Sequence, residues 1–155
     1  MQIPMQKLVA PFKLTKWLIV SSMSFLVPAI YGFCSSAYGY TIISSTIFVC
    51  SVNFWRDARH GIRRTIDIYV AHSGALMYII NIAYILHIKS YNMTHFIYIV
   101  YPTCGMIYAM QRMSEKRYYT YVNKNYWAKY HIIFHALCSL GQCVVIYCNN
   151  NALTQ

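Results

Sequence analysis

Five mostly apolar stretches, at 17–34, 38–55, 66–88, 93–111 and 130–148, leave this chain of 155 residues almost no room for anything else. A helix rises about 1.5 Å per residue, so about 20 apolar residues cross the hydrocarbon layer of a bilayer. Each stretch meets or approaches that length. Backbone in lipid must satisfy its own N–H and C=O groups, and a helix does so within a single segment. The expected fold is therefore all-α: a polytopic membrane bundle of about five transmembrane helices, one membrane domain over 1–155 with no soluble domain.

Charge points the same way. Only 10% of the residues are charged, 58% are hydrophobic, and the acids are Asp57, Asp67 and Glu115. A soluble domain carries about a quarter charged residues. The formal charge of +10 would suit nucleic acid if it lay on one face of a soluble scaffold, but here the cations sit in short clusters between apolar runs. We expect no nucleic-acid partner.

Lys7, Lys13 and Lys16 precede the first run, and Arg56, Arg59, Arg63 and Arg64 separate the second from the third. Arg112, Lys116, Arg117, Lys124 and Lys129 separate the fourth from the fifth. Threading five spans puts these clusters on one side and leaves Lys89 alone on the other. The positive-inside rule then sets the N-terminus inside and the C-terminus outside. The glycosylation sequon Asn92-Met93-Thr94 falls on the outer side. Trp17, Trp55 and Trp127 fall near inner span ends, where an indole bridges lipid and water. Ser35 and Ala37 have the small side chains of a signal-peptidase site, but 17–34 reads as an anchor and first span. The wealth of Tyr, Ile, Asn and Lys suits an AT-biased genome such as that of a protist, an organelle or a large DNA virus.

At 100° per residue, His131, His135, Ser139 and Gln142 share an arc of roughly 80° on the fifth span. Asp67, Ala71, Gly74, Tyr78 and Asn81 form a stripe on the third, and Tyr98, Tyr101, Gly105 and Tyr108 one on the fourth, where Pro102 removes a helical hydrogen bond. Ser21, Ser24 and Pro28 line up on the first span, and Thr41, Ser44 and Ser51 on the second. Lipid supplies no hydrophobic drive between helices, so small residues and interhelical hydrogen bonds hold a bundle together. Packing alone accounts for such stripes.

The histidines allow a second reading. Residues four apart on a helix stand about 6 Å apart along its axis, the spacing of helical metal sites with two imidazole ligands. A catalytic zinc needs a third protein ligand and an open position for water. The topology brings the inner ends of the third and fifth spans to the same side, which makes Asp67, His60 and His72 the candidate third ligands. Alternatively, Asp67 pairs with Arg63 one turn away.

A serine-bearing second span, an Asp opening the third and HxxxH in the last span resemble the seven-span hydrolase superfamily that includes alkaline ceramidases and the progestin and adipoQ receptors. The resemblance covers about 44–74 and 129–142. It implies an intramembrane lipid hydrolase with zinc on Asp67, His131 and His135, and with Ser44, Ser45 or Ser51 as the serine. A zinc-bound water would attack an amide or ester at the inner leaflet. The chain departs from the family in having five spans, and Asn53 is the nearest polar residue where the family carries a second-span histidine.

None of the six cysteines forms a CxxC pair. Cys34 and Cys148 fall at the outer ends of the first and fifth spans and could form a disulfide if that side is oxidising and the Cα distance allows. Arg56, Arg59, Arg63, Arg64, Lys116, Arg117, Lys124 and Lys129 lie among aromatic residues on the inner side and suit contact with anionic headgroups or a protein partner. No span carries a charge near its centre, which argues against a channel or transporter. The leading expectation is a structural or assembly component of a membrane or membrane-embedded complex. Its partners would be the lipid bilayer and other membrane, capsid-like or complex subunits. The zinc-dependent lipid hydrolase is the alternative.

Overall fold

The computed structural model describes residues 8–88, 93–114 and 124–151. Among them every regular element is helical apart from one antiparallel bridge, Leu8 with Arg59. The helices are α1 (Phe12–Ser22), α2 (Leu26–Cys34), α3 (Tyr38–Trp55), α4 (Ile62–Ile88), α5 (Met93–Ser114) and α6 (Lys124–Asn151). A 3-10 turn, Met23–Phe25, joins α1 to α2, so the two form one run.

Among the described residues three runs are long and apolar enough to cross a membrane: Phe12–Cys34, Ile62–Ile85 and Tyr126–Asn150. This narrows the five-span expectation. Ser44, Ser45, Thr46, Ser51 and Asn53 dilute the apolar character of α3, and Tyr98, Tyr101, Pro102 and Tyr108 that of α5. The helices outrun the predicted segments at several ends because polar residues such as Lys13 and Lys16 extend a helix as readily as apolar ones.

Helix α6 is central. It packs on α1, α2, α4 and α5, while α3 lies against α1, α2 and α4. The turn from α2 into α3 is tight: Ser36 adopts φ 57°, and the Ala37 amide donates to the Gly32 carbonyl at 2.7 Å. A Cβ on Gly32 would meet Thr41 Oγ1 at 3.0 Å and the Ala37 carbonyl at 3.1 Å, so glycine permits the crossing. At one end of the bundle Tyr40, Tyr78, Ile85, Ile99, Val145, Ile146 and Cys148 form an apolar cluster; at the other Leu18, Phe54, Trp55 and Ala58 do.

Polar side chains occupy the interior between these clusters. Thr15, Ser22, Ser44, Ser51, His135, Ser139 and Gln142 are all buried, whereas Ile30, Ile42, Val49, Leu76 and Ile107 are each about 60% exposed or more. The stripes expected on the fifth, first and second spans face inward as polar or small groups. Two expectations are corrected. The α5 tyrosines Tyr98, Tyr101 and Tyr108 face outward, and Ile99, Pro102 and Ala109 are buried in their place. On α4, Ala71 is exposed while Gly74 and Tyr78 are buried. A tyrosine is amphipathic and suits either face, so its spacing alone does not choose one.

Candidate functional site

The inward face of α6 carries the largest set of polar contacts between helices. At its centre the 3-10 turn brings Ser21 and Ser24 against α6. Ser21 Oγ lies 2.8 Å from His135 Nδ1, and Ser24 Oγ donates to the His135 carbonyl at 3.4 Å. Ser139 Oγ donates in return to the Ser24 carbonyl at 2.6 Å. In a regular α-helix that carbonyl would receive the amide of residue 28, which is proline and has no hydrogen to give. A backbone amide at the end of the 3-10 turn takes that carbonyl instead, and the Ser139 hydroxyl adds a second bond from another helix.

Further along α6, Ser44 Oγ donates to Gln142 Oε1 at 2.5 Å, joining α3 to α6. Asn149 Nδ2 donates to Asn81 Oδ1 at 3.3 Å, joining α4 to α6. Tyr78 Oη and Thr103 Oγ1 lie 3.0 Å apart between α4 and α5. Each of α1, α3 and α4 is thus tied to α6 through a polar side chain, and α5 reaches it through Cys138 Sγ and Met106 Sδ, 3.4 Å apart.

The two histidines differ. His135 has Ser21 on Nδ1 and the Phe25 ring edge-on at 5.4 Å. His131 sits in an aromatic box, with ring centroids 5.1 Å from Trp55, 5.0 Å from Trp127 and 4.6 Å from His135. Within the described residues, His131 Nδ1 and Trp55 Nε1 are buried without a hydrogen-bond partner. Trp55 is 2% exposed, so of the three tryptophans expected at a membrane surface it is in the core instead. Trp17 is exposed, with Lys16 Nζ 5.3 Å from its ring.

The third ligand of the expected zinc site does not join them. Asp67 faces Ser51 and lies near Cys50 of α3. His72 Nδ1 bonds the Ile68 carbonyl at 2.7 Å, and His60 Nδ1 lies 3.0 Å from Arg64 Nη1. Among the described residues no three His, Cys, Asp or Glu side chains converge to hold a metal, so the set of His131, His135 and Asp67 is not assembled. The alternative pairing of Asp67 with Arg63 is replaced as well: Arg63 Nη1 lies 3.8 Å from Asp57, which also holds Arg59 Nε at 2.9 Å.

The expected disulfide is absent. Cys34 is exposed at the end of α2, while Cys148 packs inside the cluster with Ile85 and Val145. Of the basic residues, Arg56 Nη2 donates to Asn53 Oδ1 at 3.3 Å, and Lys129 Nζ stands 5.4 Å over the Tyr126 ring. Lys116, Arg117 and the sequon at Asn92 lie outside the described residues, as does the Lys124 side chain.

The arrangement is a hydrogen-bonded seam through the bundle. The Ser24–Ser139 contact was not foreseen, although a proline four residues after Ser24 is a signal for it. No family model, curated protein or solved structure matches this chain.

Proposed function

We propose that the chain is a multi-pass integral membrane protein that acts through packing, as a structural or assembly component of a membrane or of a membrane-embedded complex. One observation carries the reading: large apolar side chains such as Ile30, Ile42, Val49, Leu76 and Ile107 cover the outside, while serines, a histidine and a glutamine are buried beside the apolar core. In water such a surface would be a large apolar patch prone to association; in lipid it is solvated. The interior polar groups largely bond one another across helices, the glue expected where lipid supplies no hydrophobic drive.

All five helical runs cross in this reading, with the N-terminus inside and the C-terminus outside. Once Phe12–Cys34 and Ile62–Ile85 cross, α3 has to return the chain between them, and α5 does the same between α4 and α6. The polar groups that dilute α3 are no obstacle, because Ser44 and Ser51 are buried against protein. The inner loops, with Arg56, Arg64 and Lys129, then lie at headgroup level, where each cation gains about 1 kcal/mol from anionic lipid.

Alkaline-carbonate extraction of membranes holding the chain tests insertion, and retention in the pellet is the expected result. Labelling with a membrane-impermeant maleimide tests the crossings, using Cys34 and an Arg59→Cys variant. Cys34 is expected to react from outside and the residue at 59 from inside only. Reaction of both from one side would overturn the α3 crossing.

A further inference from the structure

Helix α4 is the least covered of the three long apolar runs. In the most apolar 18 residues of Ile62–Ile85 17% are buried, against 33% for Phe12–Cys34 and 39% for Tyr126–Asn150. Its buried residues Gly74, Tyr78 and Ile85 share the face that packs on α3 and α6. On the opposite face stand Thr65, Tyr69, His72, Leu76, Ile79 and Ala83, every one exposed. They alternate by four and three residues without a break. That is the seam spacing of paired helices, in which a 3.5-residue repeat keeps one stripe turned to its partner.

His72 sits near the middle of the run. Its Nδ1 lies 2.7 Å from the Ile68 carbonyl oxygen, and a carbonyl only accepts, so Nδ1 carries a hydrogen. In the neutral ring Nε2 is then an acceptor. An exposed acceptor at mid-span has no water to bond in hydrocarbon. It calls for a donor from outside the chain.

We propose that this stripe is the interface with a second copy of the chain, α4 against α4 in parallel about a two-fold axis along the membrane normal. The inference rests on the membrane reading above. Copies inserted by the same charge rule share one orientation, so their α4 helices run parallel and each seam position meets itself, as in an isologous dimer. The stripe is self-complementary. Leu76 and Ile79 pack on their counterparts, and Ala83 lets the two backbones approach. Tyr69, one turn from His72 on the same stripe, supplies the hydroxyl hydrogen that His72 of the other copy needs. In lipid such a hydrogen bond between helices both fixes their register and favours their association.

The test is sedimentation equilibrium of the full chain in density-matched detergent micelles, run beside carbonate extraction of each variant. The wild type is expected to resist extraction and sediment as a dimer. His72→Leu should weaken dimerisation roughly 3- to 10-fold. Ala83→Phe should abolish it by forcing the backbones apart, and Ile30→Phe, on the exposed face of α2, should leave it unchanged. A carbonate-resistant wild type that is monomeric overturns the pairing and leaves the membrane reading standing. A dimer that survives both α4 substitutions overturns the choice of interface. Release of the wild type by carbonate overturns the pairing together with the membrane reading.

Discussion

The Ser139 hydroxyl donates at 2.6 Å to the Ser24 carbonyl, the oxygen that Pro28 leaves without its usual helical amide. The bond crosses from α6 to the 3-10 turn between α1 and α2. The 3-10 turn gives that carbonyl a backbone amide of its own, and the remaining lone pair becomes a point of attachment for α6.

The bond predicts a rescue. Ser139→Ala should cost about 0.5–1.5 kcal/mol, the loss of one interhelical bond to a carbonyl that keeps its backbone amide. In a Pro28→Ala background the restored amide takes the same carbonyl, and the cost should fall below about 0.5 kcal/mol. Steric-trap unfolding in bicelles measures both. Equal costs in the two backgrounds would mean that the Ser24 carbonyl does not depend on Ser139.

Ser44 and Gln142 should couple. They meet at 2.5 Å with Ser44 buried in α3 and Gln142 in α6, and nothing else in the described structure joins these side chains. A double-mutant cycle on Ser44→Ala and Gln142→Leu should give a coupling of about 0.6 kcal/mol, with about 1.7 as the upper bound for such bonds. Zero coupling would remove the pair from the seam.

The two histidines should respond oppositely to phenylalanine. His131 stands in an aromatic box with Nδ1 unbonded, so His131→Phe should cost less than about 1 kcal/mol or stabilise. His135→Phe strands Ser21 and should cost about 1–3 kcal/mol. Elemental analysis of the purified wild type and of a His131→Ala, His135→Ala variant should find zinc well below one per chain in both. A full equivalent that vanishes in the variant would revive the hydrolase reading.

Two glycines test how closely the helices approach. A Cβ on Gly141 would meet Tyr78 Oη at 3.0 Å and the Tyr78 ring at 3.1 Å, and that ring is buried and bonded to Thr103. A Cβ on Gly105 meets only the end of the Leu137 side chain, at 2.9 Å, which can rotate aside. Gly141→Ala should therefore cost about 1–3 kcal/mol and Gly105→Ala distinctly less, read by the same unfolding assay. The reverse order would contradict the placement of Tyr78.

Much of this was legible from spacing. The stripe of His135, Ser139 and Gln142 and the inward serines of the α1–α2 run and α3 follow from 100° per residue, because polar side chains on an otherwise apolar helix find their partners in the protein interior. The bounds of α3 were also met, since Tyr38–Trp55 lies between a tight turn and a basic loop. Other features were hidden because they depend on a choice that periodicity does not make. Tyrosine suits both faces, so the direction of the α5 stripe had to come from packing. Asp67 had Arg63 one turn away, but the loop presents Asp57 to that arginine first. The heptad-like face of α4 went unread because its residues are ordinary one by one, and only the exposure of all six together singles them out.

The central claim is that the apolar outer surface of the bundle faces lipid, and spin-label collision measurements in liposomes test it most directly. Labels placed singly at Ile30, Ile42, Val49 and Leu140, all exposed, should collide readily with oxygen and hardly at all with a water-soluble nickel chelate. Labels at Arg56 and Arg64, beside the basic loop, should show the opposite. Ready collision of the nickel chelate at Ile42 and Val49 would put α3 in water and contradict the account.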